Sequence, residues 1–173
     1  MSTYNRANST MGSMAIAMGI IVGILLIMAL VVNWRSEEHI PSVDYRPDAE
    51  MLAETADFTA YAPEGLPEGW VPTSTDLTTE EPVTWKLGFA TPDDRHAELL
   101  IGEEEPEAMV EAATGGGERD GSSRVGGEEW ERYLDGTGTR HALVKREEGA
   151  TVVLSGGSGY GELEVLAGSL REV

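Results

Sequence analysis

Apolar residues are distributed along this chain in two unlike ways. From Met14 to Val32 the sequence MAIAMGIIVGILLIMALVV is an unbroken run of apolar residues and glycine. As a helix such a run is about 28 Å long, close to the hydrocarbon thickness of a bilayer. Beyond it the apolar residues are spaced at intervals of two, or of three and four, as in elements that bury one face. The first pattern predicts a single transmembrane helix over residues 14–32. The second predicts a folded domain over residues 47–173, with an N-terminal tail at 1–13 and a tether at 33–46.

No small-x-small pair follows the apolar run, and Asn33-Trp34-Arg35 is a poor cleavage site, so the segment reads as an uncleaved signal anchor. Trp34 and Arg35 stand where interfacial anchors belong. The basic residues on the two sides nearly balance. Because long domains translocate largely regardless of charge, the expected orientation places the C-terminal domain outside the cytoplasm. Ala15, Gly19 and Gly23 recur at a spacing of four, which puts small residues on one helix face and predicts close contact with a second helix, from another copy or another membrane protein.

Within the domain, Asp48 is the expected N-cap of a helix over Ala49–Ala56, and Phe58–Ala62 a short strand. Val71–Thr78 reads as β. Thr84–Thr91 alternates Trp85, Leu87 and Phe89 against Lys86 and returns through a Thr91-Pro-Asp-Asp94 turn to Arg95–Ile101 as a hairpin. Glu105–Ala113 predicts a helix with Pro106 in its first turn, and TGGGERDGSSR over 114–124 a flexible loop. Three strands follow, at Glu129–Leu134, Thr139–Arg146 and Ala150–Ser155. Ser158 is the expected cap of a final helix whose apolar face is Leu163, Leu166, Ala167 and Leu170. The class predicted is α+β: an antiparallel sheet covered on one face by two or three helices.

The repeat APEGLPEGW, residues 62–70, raises a choice between a binding motif and two turns. Proline at the second position and glycine at the fourth suit two successive type I turns, which would present Leu66 and Trp70 to the sheet.

Charge changes the picture outside the apolar run. The net charge is −19, and all 31 acidic residues lie after Arg35. A surface of that sign repels nucleic acid and anionic headgroups, so nucleic acid is excluded as a partner. The scattered charge reads as a solubility device. With no cysteine, disulfides, thiolate metal sites and thiol nucleophiles are excluded.

Candidate chemistry is sparse. His39, His96 and His141 are isolated, without the spacing of metal ligands, so no metal and no cofactor is expected. Ser158 in GGSGYG lacks the flanking glycine pattern of a nucleophile elbow, and no Gly-x-Gly-x-x-Gly register fits the same stretch. Asp120-Gly and Asp135-Gly read as turns rather than calcium loops. Trp70 and Trp85 are expected in the core. Trp130, flanked by Glu128, Glu129 and Glu131, is the expected contact for a ligand or a protein partner.

APEGLPEGW, TWKLGFATPD, VGGEEWERY and ALVKREEGATVVLSG occur in that order after the hydrophobic helix, and a Leu-rich helix ending LAGSL follows them. Together they resemble an actinobacterial family of membrane-anchored proteins known as domain of unknown function 4245, over nearly the whole chain. The resemblance implies an envelope protein with an exported C-terminal domain; it implies no activity and no catalytic residue. The closing strand–strand–helix pattern is also similar, as a fold alone, to ligand- or protein-binding modules of bacterial envelope regulators. The expected function is therefore a non-catalytic membrane-anchored protein that contacts other proteins, with a binding module for a small apolar or sugar-like molecule as the alternative.

Overall fold

The computed structural model describes residues 6–35 and 41–173, with the side chains of 12–30 and 41–173. The expected tail lies partly outside the described residues, as do residues 36–40 of the tether, His39 among them. The chain divides into two units, Met1–His39 and Ile40–Val173.

The first unit contains α1, Arg6–Arg35. Its Gly12–Leu30 stretch is long and apolar enough to cross a membrane, and none of that stretch is buried. The helix exceeds the apolar run at both ends because nothing in RANST or NWR forbids helical geometry; the nearest proline downstream is Pro41.

In the second unit the chain runs α2 Arg46–Thr55, β1 Tyr61–Pro63, β2 Val71–Thr78, β3 Thr84–Ala90, β4 His96–Gly102, α3 Pro106–Thr114, β5 Glu118–Val125, β6 Glu128–Leu134, β7 His141–Arg146, β8 Thr151–Gly156, α4 Tyr160–Ser169 and β9 Leu170–Glu172. β2 to β8 form one seven-stranded antiparallel sheet in the order β2-β3-β4-β8-β7-β6-β5, and β1 pairs with β9 in a separate ribbon. The fold is α+β.

Strand alternation separates two apolar layers. Trp85, Leu87 and Phe89 of β3, Leu99 and Ile101 of β4, Leu143 of β7, Val152 and Leu154 of β8 and Trp130 of β6 share one face with Leu52 of α2 and Leu163 and Leu166 of α4. Leu100, Val144 and Val153 point the other way, onto Met109, Val110 and Ala113 of α3. Two helices thus cover one face and α3 covers part of the opposite one. β8 lies mid-sheet beneath both layers and is buried along its whole length, TVVLSG. Its close approach to β4 requires glycine at 156: a Cβ there would stand 2.5 Å from the His96 carbonyl oxygen.

Several local expectations change. Tyr45, not Asp48, precedes α2, and no side chain caps it; Pro47 in the first turn sets the start instead, and Asp48 accepts a hydrogen bond from the Thr75 hydroxyl. The final helix is preceded by Gly159 rather than capped by Ser158, and Leu170 has already left it for β9. The segment expected as a loop at 114–124 contains β5. It is an edge strand, exposed along most of its length, so backbone pairing to β6 holds it with Val125 as its one apolar side chain. In APEGLPEGW only the second repeat makes a turn. The Trp70 amide bonds to the Pro67 carbonyl, and Gly69 sits third with φ of +95°, the type II pattern. The first repeat instead begins in the ribbon, where Pro63 pairs with Leu170.

Trp85 is fully buried, whereas Trp70 is half-buried with its ring edge-on to Phe89. Trp85→Ala is expected to cost about 3–5 kcal/mol and Trp70→Ala clearly less, measured by chemical denaturation of the detergent-solubilised chain.

Candidate functional site

The residue singled out from sequence as a contact, Trp130, is 2% exposed. It lines a cleft of about 210 Å³ between the β5–β6 hairpin, the β1–β9 ribbon and α4. Val125, Val152, Ala167 and Leu170 supply apolar wall; Tyr61, Glu128, Lys145 and Arg171 supply the polar groups. Each arrives there for a local reason. Lys145 faces the same side of β7 as Leu143, so the pleat carries a lysine inward. Tyr61 is brought by the ribbon, and Glu128 by the first residue of β6.

Lys145 is the centre of the cluster. Its ammonium donates to Glu128 and, at 2.6 Å, to Glu147. It also lies 5.2 Å from the ring centre of Tyr61 and 5.9 Å from that of Trp130, within cation–π range. The Tyr61 hydroxyl donates to Glu147 at 3.4 Å. Burial works against the charged lysine, yet its hydrogen bonds to Glu128 and Glu147 outweigh it and hold the pKa above the ordinary lysine value. Burial and the Glu147 charge push the Tyr61 phenol up as well. At neutral pH the cluster therefore offers a fixed cation and a neutral phenol. Neither is poised as a nucleophile or a proton-transfer group, which would need a pKa near the working pH.

A second polar cluster sits where GGSGYG enters α4. Arg132 stacks on the Tyr160 ring at 3.6 Å, and His141 meets the same ring edge-on at 4.6 Å. The Tyr160 hydroxyl lies 2.9 Å from an Asp120 carboxylate oxygen and 3.0 Å from the Tyr133 carbonyl oxygen. Burial and the Asp120 hydrogen bond raise its pKa. Arg132 Nε, His141 Nδ1, Ser158 Oγ and Glu162 Oε2 are buried here without a hydrogen-bond partner among the described residues. Ser158 Oγ and His141 Nδ1 are thus unpaired with each other, and a serine–histidine relay through these atoms is absent.

Asp135, the other Asp-Gly position, closes its own turn. It accepts from the Thr139 and Arg140 amides at 2.7 and 2.9 Å and from the Thr137 hydroxyl, which drives its pKa far below the carboxylate range. Among the described residues no group of three or more His, Cys, Asp and Glu side chains could hold a metal ion.

The three tryptophans of the domain do not meet. Trp85 and Trp70 flank Phe89 and Tyr45, while Trp130, on the same face of the sheet, lines its own cleft. Ala15 and Gly19 are exposed on α1, Gly23 is half-exposed, and a Cβ on either glycine would meet nothing within 4 Å. Sequence reading missed Lys145, Tyr61 and Glu147. The available signal was a lysine in phase with Leu143 in HALVKR.

The profile of the family described as "Protein of unknown function (DUF4245)" matches residues 6–170. No curated protein matches the chain. Among solved structures, the complex of MucA and MucB from Pseudomonas aeruginosa contains a similar chain, 20% identical with a TM-score of 0.37. The similarity covers 66% of this chain and 35% of that one, so this chain spans about a third of that relative's length.

Replacing Lys145 by Met leaves Glu128 and Glu147 facing each other without a cation, at an expected cost of about 1–3 kcal/mol at neutral pH. A raised folded pKa contributes stability that is complete below the unfolded value and lost as pH rises through the folded one. Lys145 and Tyr61 act in the same sense. Denaturation across alkaline pH should therefore show the wild-type advantage over Lys145→Met closing only above about pH 10. A gap that stayed unchanged well above that pH would contradict the assignment.

Proposed function

For a chain that belongs to the DUF4245 family, whose description names no activity, we propose a non-catalytic role as a single-pass, membrane-anchored protein of the actinobacterial envelope. Its acidic α+β domain stands outside the cytoplasm and acts as an accessory or interaction module in a membrane complex. One observation carries this reading. From Met14 to Leu30 the large apolar side chains of α1 are all exposed, while the domain buries nearly all of its own, Met51, Val165 and Val173 excepted. Such a helix needs lipid or another helix to cover it. Protein contact is supported by the glycine face: a Cβ at Gly19 or Gly23 would meet nothing within 4 Å outside the helix's own backbone, so a second helix can approach the backbone there.

The absence of a poised acid–base pair among the groups described above supports the non-catalytic part. The alternative, a module for a small apolar or sugar-like molecule, rests on the Trp130 cleft. At about 210 Å³ that cleft is smaller than the usual ligand pocket of about 300–1,000 Å³, and Trp130 is its single tryptophan.

Extraction of the native full-length protein in mild detergent, followed by sizing and identification of partners by mass, tests the proposal. The expected result is a complex that Gly19→Leu and Gly23→Leu each weaken, since neither change clashes within the chain. A lone monomer, indifferent to both substitutions, would remove the reading. Protease added outside intact cells should degrade the domain; full protection would reverse the orientation.

A further inference from the structure

The two edges of the seven-stranded sheet are protected very differently. β5 carries Glu118, Arg119, Asp120 and Arg124 and is interrupted by a register irregularity between Arg119 and Ser122. Charges and bulges of this kind blunt an edge against further pairing. β2, at the opposite edge, has eight residues and one charge, Asp76. Its proline and its irregularity both fall at the start, between Pro72 and Ser74, where the Val43 amide already takes the Pro72 carbonyl at 3.0 Å. From Ser74 to Thr78 the strand pairs regularly with β3, and no other backbone group among the described residues bonds its outer side. A regular five-residue edge with a single charge is a template for one more strand.

Charge selects the occupant. Glu68 precedes β2, and Glu80 and Glu81 follow it. The Pro92 ring lies 3.1 Å from where a Gly69 Cβ would be, which brings the Asp93–Asp94 turn to the same end. With Asp76 these make six carboxylates against Lys86 and Arg95, while Asp44 and Arg46 beside the Val43 bridge offset each other. A second copy of the acidic domain would be repelled; an extended segment rich in Lys or Arg would be attracted.

We propose that the Ser74–Thr78 edge of β2 is a docking site for an extended basic segment of a partner protein, which adds as an eighth strand. This rests on the reading that the domain engages another protein, and it names where and by what chemistry. Ser74, Asp76 and Thr78 are exposed, so substitutions there leave the core untouched.

The test uses the full-length chain in detergent and a short synthetic peptide alternating lysine and valine. Amide hydrogen exchange should slow across Ser74–Thr78 and not across Glu118–Val125 when the peptide is added. A glutamate–valine peptide, and a lysine–valine peptide with alternate backbone nitrogens methylated, should each lose the effect. Asp76→Lys combined with Thr78→Lys should weaken binding about tenfold or more, with β8 amides still slow to report an intact fold. Equal binding of the methylated peptide, or protection on β5, would overturn the proposal and reduce the effect to bulk charge. If the native complex survives Asp76→Lys with Thr78→Lys at unchanged affinity, the edge assignment falls while the partner reading stands. A chain extracted as a lone monomer removes both.

Discussion

β4 and β8 are brought side by side from positions about fifty residues apart, and the rest of the domain depends on that seam. Leu99, Leu100 and Ile101 pair with Leu154, Val153 and Val152, so both strands present apolar groups to both faces. On one side the β2-β3-β4 meander is attached through β4; on the other the β5-to-β8 meander is attached through β8. Each meander can form from local turns. Only the seam converts two half-buried sheets into one that α2, α3 and α4 can cover. Its hydrogen-bonding distance is possible because residue 156 has no Cβ to meet the His96 carbonyl. Long-range pairing of this kind adds loop-closure cost, which the doubly buried strands offset with apolar area.

Against that apolar seam, the electrostatics are organised by scarcity of cations. Most carboxylates of the domain are scattered and solvated. Several basic residues of the sheet are held closely: Lys145 between two glutamates and two rings, Arg132 over Tyr160, and the exposed Arg146 beside Glu107 and Glu131. A cation committed in this way stabilises the fold locally but adds little to the outward field, so the surface facing any partner stays acidic.

Much of the fold was legible in the sequence, because period-two alternation and turn residues act locally. Val71–Thr78 and the hairpin through Thr91–Asp94 are cases where side chain and backbone preference agree, down to the Asp94 amide bonding the Thr91 carbonyl. β5 was illegible because an edge strand needs only a partner's backbone, and ERDGSSRV carries no apolar stripe to announce it. The burial of Trp130 was illegible for another reason. Its neighbours in sequence, Glu129 and Glu131, point to the opposite side of the pleat, so acidic flanks say nothing about a residue turned inward. The Lys145 cluster joins β6, β7, the β7–β8 turn and the ribbon, and such convergence is a property of topology that no local window contains.

The hydrogen-bonded turn at Asp135 has a consequence for how the molecule ages. Among aspartyl sequences Asp-Gly is the most open to succinimide formation, since glycine lets its nitrogen reach the preceding carboxyl carbon, and the attack needs an uncharged carboxyl. Asp135 is kept ionised by the Thr139 and Arg140 amides, and its oxygens are held in fixed directions by them. The same contacts that shape the β6–β7 turn thus shield this backbone from isomerising to isoaspartate. In a domain rich in glycine, that protection preserves the register of β7 against slow chemical drift.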